Sequence, residues 1–147
     1  MVFPNFKLRQ EYVERKLVKK LILNRDEYFQ AVSLTQLVSI DILVIYEGKL
    51  LVGERINEPA KGSFFVPGGK VYKNEYLKEA LERISEHGIG VRLTSNQVTL
   101  NGIYDHLYEN NFRDDSCGTH YVLSLIHISR AHETDSYLVC RLLLEKK

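Results

Sequence analysis

The chain has 147 residues, 44% of them hydrophobic and 27% charged, with a formal net charge of +1, the make-up of one globular domain around a single core. A near-neutral balance excludes a broad basic field for gathering phosphate backbones, so no nucleic-acid partner is expected. Cys117 and Cys140 stand in no metal-ligand or disulfide-framework spacing, and the opening residues hold no continuous apolar run of signal-peptide or membrane-span type, so a cytoplasmic protein without a membrane partner is expected.

From Lys7 to Leu23, Val13, Leu17 and Leu21 recur at helical spacing among charged residues, which predicts an amphipathic helical extension over residues 1–23. Its apolar stripe must be covered by its own domain or by another subunit. Asn24 is a good N-cap for a short helix over Arg25 to Val32. Leu37 to Tyr46 reads as a strand, Glu47-Gly48 as a turn and Lys49 to Gly53 as a returning strand. Asp41 interrupts the first of these; an acid there sits at an edge, faces polar neighbours, or serves substrate or metal in a pocket.

Arg55 to Ser63 is a loop by its Pro, Gly and Asn content, and Phe64 to Val66 is a short strand stopped by Pro67-Gly68-Gly69. A helix follows, with Asn74 as N-cap, Glu75 in the first turn, Leu77, Leu81 and Ile84 on its apolar face, and His87-Gly88 as its end, Gly88 in a left-handed cap. Val98 to Tyr104 and Thr119 to Ile126 are further strands, joined by a polar, aromatic-rich loop that begins at His106. This order of elements predicts a single mixed α/β layer structure.

The segment GGKVYKNEYLKEALERISEHGIGV spaces Gly69, Glu75, Arg83, Gly90 and Val91 so as to give a tight turn, acids on one helical face and a glycine releasing the chain. That spacing resembles the Nudix box, G-x5-E-x7-R-E-U-x-E-E-x-G-U. The flanks, with Arg55, Asn57, Pro59, Ala60 and Gly62 leading into Phe65-Val66-Pro67-Gly68-Gly69, resemble the GDP-mannose mannosyl hydrolase branch. So do LVSID before the box, and H-x-Y-x-x-N-F and T-H-Y-V after it.

The resemblance implies an α/β Nudix fold over residues 24–125, a mixed sheet with the loop–helix–loop, and homodimers. It implies a Mg²⁺-dependent hydrolase that converts a nucleotide sugar, GDP-mannose, and water to GDP and mannose by attack at the anomeric carbon. Carried over, Arg55 neutralises the leaving diphosphate, and Asp41, His106 and Tyr108 line the nucleotide-sugar pocket. Gly69 offers a backbone carbonyl and Glu75 a carboxylate to the metal, while Arg83 orients the box acids; Arg55, Arg83 and His106 form the catalytic set.

Two departures qualify this. His87 and Gly88 stand where the family has adjacent glutamates, and the position of Gly88 is the one that the sugar-hydrolysing branch uses as its principal metal ligand. Activity is therefore expected to be impaired, the other reading being an inactive domain that binds a nucleotide sugar or regulates. From Ser124 the stretch SLIHISRAHETDSYLVCRLLLEKK leaves the family pattern and resembles translated sequencing-adapter sequence. Residues 126–147 are accordingly read as a tail outside a C-terminally truncated domain, with an artefactual origin as the hypothesis.

Overall fold

A computed structural model describes residues 21–46 and 48–128. The expected N-terminal amphipathic helix up to residue 20, and the tail from 129, lie outside the described residues. Leu21 to Leu23, expected to close that helix, are not helical, and the Leu21 amide instead donates to the Lys73 carbonyl at 3.1 Å.

Helix α1 (Arg25–Leu34) starts as expected: Asn24 Oδ1 accepts from the Asp26 and Glu27 amides, and Glu27 reaches back to the Asn24 amide at 2.8 Å. Strand β1 (Leu37–Leu43) is followed by β2 (Ile45–Tyr46) and β3 (Lys49–Leu50), which pair as the expected hairpin. Next come β4 (Gly53–Glu54), β5 (Phe64–Phe65), β6 (Gly68–Lys70) and α2 (Leu77–Ile89), and then β7 (Val98–Tyr108) and β8 (Thr119–Ile128). One four-stranded sheet in the order β6-β1-β8-β7 organises the fold; β1 runs parallel to β8, and the other pairs are antiparallel.

Period-two alternation gives this sheet two different faces. Ile40, Ile42 and Val44 on β1 and its end, with Ile126 on β8, pack against Ala80, Leu81, Ile84 and Ile89 of α2 to form the core. Their neighbours Ser39, Asp41 and Leu43, with Tyr121, Leu123 and Leu125, line a cleft on the other face. Asp41 is thus on an interior strand of the sheet, facing the cleft.

In β7 the alternation is reset by a bulge. Leu100 pairs with Ile126, but Gly102 pairs with Leu125, so one extra residue, Asn101, is inserted. Beyond it Tyr104 and His106 stand opposite Leu123 and Tyr121 on the cleft face. His106 and Tyr108, expected on a loop, lie on this strand, because the ladder with β8 continues to the Tyr108–Thr119 pair. Likewise β8 runs past Leu125, where the domain was expected to end: Ile126 and His127 pair with Ile42 and Leu43 of β1.

The central helix differs from expectation at both ends. Asn74 is not its N-cap but a left-handed turn residue, φ 65°, because Glu75 folds back onto the turn; the helix starts at Leu77, with Glu79 accepting from the Tyr76 amide at 3.0 Å. It also runs past His87-Gly88 to Ile89, and the left-handed C-cap is Gly90, φ 72°. Gly88 is therefore helical, and a Cβ on it would meet only Pro67 Cβ, at 3.4 Å.

Opposite effects of two alanine substitutions are expected from this. Gly88→Ala should raise the unfolding free energy by up to about 1 kcal/mol, since it removes the entropy cost of a helical glycine. Gly90→Ala should lower it by about 1–2 kcal/mol, since alanine is strained in the left-handed cap. Urea denaturation of the two variants checks both signs.

Candidate active site

The loop between β6 and α2 is held by one buried carboxylate. Glu75, its side chain 1% exposed, accepts from Arg83 Nε and Nη2, each at 2.8 Å, and from the Tyr72 amide at 2.9 Å. Arg83 also donates to the Lys70 carbonyl at 2.8 Å and lies over the Tyr72 ring, 4.1 Å from its centroid. This hydrogen-bonded carboxylate raises the Arg83 guanidinium above its ordinary value. The paired glycines lie beside this brace. A Cβ on Gly68 would fall 2.0 Å from Asp41 Oδ1, and one on Gly69 would fall 3.3 Å from Ile84 Cγ1, so one glycine makes room for the cleft and the other for the core.

The cleft on the outer face of the sheet has a volume of about 710 Å³, within the usual range for small-molecule sites. It brings together Asp41 from β1, Arg55 from the loop after β4, Gly69 from β6, and His106 and Tyr108 from β7. Five residues from four segments remote in sequence therefore converge. Arg55 is positioned by its loop: its amide donates to the Ser63 carbonyl at 2.9 Å, the Gly62 amide donates back at 2.7 Å, and its Nε donates to the Asn57 carbonyl at 3.2 Å. Tyr108 hydroxyl and His106 Nδ1 are 3.4 Å apart.

Burial pushes the Asp41 carboxyl up to about 6, with the charges of His106 and Arg55 pulling it partly back. Burial also raises the Tyr108 phenol, and lowers Lys70 with help from the neighbouring Arg83. Lys70 had not been expected in the site. It lines the cleft, and its Nζ lies over the Tyr28 ring, 3.3 Å from the centroid. Tyr121 was missed too; its hydroxyl is 3.0 Å from that of Tyr28. Alternation of Tyr121, Leu123 and Leu125 was the available signal.

Neither Glu75 nor Arg83 lines the cleft. Glu75, expected as a metal ligand, has both oxygens hydrogen-bonded, and Arg83, expected in the catalytic set, donates to Glu75 and to the Lys70 carbonyl. The box implies a divalent cation. Among the described residues no group of three or more His, Cys, Asp or Glu side chains could hold a metal ion, and Gly88 carries no side-chain oxygen.

With this geometry in view, comparisons with known proteins define the class. The NUDIX domain family model matches residues 35–137, and the chain belongs to that family. It is 36% identical over 104 residues to the low-salt glycan biosynthesis protein Agl8 of Haloferax volcanii, covering 71% of this chain and 65% of that protein. It is 32% identical over 90 residues to an ADP-ribose pyrophosphatase of Methanocaldococcus jannaschii, covering 61% of this chain and 52% of that protein. The chain thus spans less than two thirds of either relative's length. Among solved structures, a MutT NUDIX hydrolase from Burkholderia pseudomallei superposes with a TM-score of 0.53 at 26% identity, over 65% of this chain and 67% of that one. A MutT/nudix family protein from Enterococcus faecalis shares the fold with a TM-score of 0.50 at 17% identity, over 72% and 43% of the two chains.

Two measurements test the site. Glu75→Ala strips the Arg83 guanidinium and the Tyr72 amide of their acceptor, and a loss of about 2–4 kcal/mol in unfolding free energy is expected. Because the native state holds the Asp41 proton to higher pH than the unfolded chain does, its contribution to stability is full below about pH 4 and is lost as pH rises through 6. Asp41→Asn should remove a decline on the order of 2 kcal/mol between pH 4 and 7, read by urea titration at each pH.

Proposed function

We propose that the domain binds a nucleotide sugar of the GDP-mannose type in the cleft, and that hydrolysis to GDP and mannose is impaired in this chain by the loss of a metal-binding carboxylate at Gly88. The observation that carries the reading is the convergence of Asp41, Arg55, His106 and Tyr108 on one cleft. Arg55 and Lys70 supply positive charge for a diphosphate. Asp41 and His106 supply acceptors and donors for sugar hydroxyls. The names of two relatives, one a glycan biosynthesis protein and one an ADP-ribose pyrophosphatase, support a substrate that joins a sugar to a diphosphate.

When bound, Mg²⁺ would neutralise phosphate charge, and the lineage reaction relies on it. Here Arg55 and Lys70 hold that charge, which favours binding over turnover. The second reading, an inactive binding or regulatory domain, rests on the same absence of a metal-competent donor set among the described residues. A homodimer and a cytoplasmic location belong to the proposal. For the dimer, the outer strand β7 leaves Ile103 64% and Leu107 72% exposed. No described helix is long and apolar enough to cross a membrane.

Calorimetry and GDP-release assays on the full chain and on Gly88→Glu separate the readings. The unmodified chain should bind GDP-mannose with little turnover. Gly88→Glu, whose Cβ meets only Pro67 Cβ at 3.4 Å, should gain Mg²⁺-dependent release of GDP and mannose. Rapid turnover by the unmodified chain would refute the impairment, and a variant that binds without turnover would favour the regulatory reading.

A further inference from the structure

Helix α2 covers only part of its face of the sheet. It lies over β6 and β1, packing on Ile40 and Ile42, while α1 sits on the opposite face, where Tyr28 meets Tyr121. On the α2 face, alternation after the β7 bulge brings up Ile103, Asp105 and Leu107, opposite Ser124, Val122 and His120 of β8. Val38, Val122 and Asp105 thus stand in one row across β1, β8 and β7, flanked by Ile103 and Leu107. Ile103 and Leu107 are more than half exposed and Val38 is 45% exposed, an apolar band that also holds the Asp105–His120 pair at 2.9 Å. A contiguous apolar surface of this kind marks a place where something docks.

The place where the chain enters the domain points to the occupant. Leu21 bridges to Lys73, just past β6, and the Val71 amide donates to the Val38 carbonyl at 2.8 Å, so residues 1–20 join the domain at the same end of the sheet as this row. Residues 7–20 carry Leu8, Tyr12, Val13 and Leu17 at helical spacing. Fourteen residues in a helix measure about 21 Å, against about 14 Å for the three strand spacings from β6 to β7, so the segment is long enough to cross the sheet. Charge agrees as well: the segment has six Lys and Arg against two Glu, and Asp105 in the band leaves 67% of its side chain exposed. We propose that residues 7–20 dock as an amphipathic helix beside α2, laying their apolar stripe on Val38, Val122, Ile103 and Leu107. A second copy paired along the β7 edge takes up that strand's backbone groups and leaves this face still to be covered.

Hydrogen–deuterium exchange of the full chain, repeated on Leu17→Asp and Leu107→Asp, tests the docking. A free helix of this length is marginal in water, so slow exchange over residues 7–20 requires that the segment be packed on something. In the unmodified chain those amides should exchange roughly tenfold or more slowly than in an unstructured chain, in monomer and dimer alike by sedimentation. Each substitution should abolish that protection and leave the amides of Ile40 and Ile42 protected. Leu107 is 72% exposed, so its replacement removes no core packing; should that variant nevertheless lose the β1 protection, Leu17→Asp decides. Fast exchange over residues 7–20 in the unmodified chain, protection indifferent to Leu107→Asp, or protection confined to the dimer overturns the proposal. Protection over residues 129–147 that Leu107→Asp removes overturns it too, and gives the face to that segment.

Discussion

The paired hydrogen bonds between Glu75 and Arg83 are the constraint on which the rest of the site depends. A carboxylate 1% exposed is stable only with its oxygens satisfied, and here they hold a guanidinium on one side and the Tyr72 amide on the other. Through Arg83 the same group grips the Lys70 carbonyl. The turn after β6 is thereby fixed to α2, which keeps Gly68 against Asp41 and Gly69 against Ile84. Cleft floor and core are positioned by one brace.

Above that brace the sheet divides labour between its faces. Ile40 and Ile42 of β1 pack on α2, Ser39, Asp41 and Leu43 face the cleft, and the parallel β8 repeats the separation. Only β7 needs correction, and the Asn101 insertion supplies it by turning His106 and Tyr108 to the side on which Asp41 already faces. Without that extra residue, alternation would place the two on the face of Leu100, away from Arg55.

Fold and chemistry separate at α2. The helix keeps its buried face, its C-cap at Gly90 and its bond to the preceding loop, none of which needs a carboxylate at residue 88. A glycine there is a small change for the fold. To a cation that demands oxygen ligands, it offers no side chain.

Much of the framework was legible in the sequence. The N-cap at Asn24, the hairpin around Gly48 and the apolar face of α2 follow from local periodicity and turn chemistry, and the spacing of Gly69, Glu75 and Arg83 carries the Nudix resemblance. Asp41, Arg55, His106 and Tyr108, which the family resemblance singles out, line one cleft. What local pattern could not supply was the partner of each polar group. Tertiary packing gave the oxygens of Glu75 to Arg83 and Tyr72, moved the helix cap from Gly88 to Gly90, extended β7 through His106, and seated Lys70 and Tyr121 in the cleft. The physical reason is range: caps, turns and alternation are settled within a few residues, whereas strand register, burial and hydrogen-bond partners depend on segments the chain brings together only when it folds.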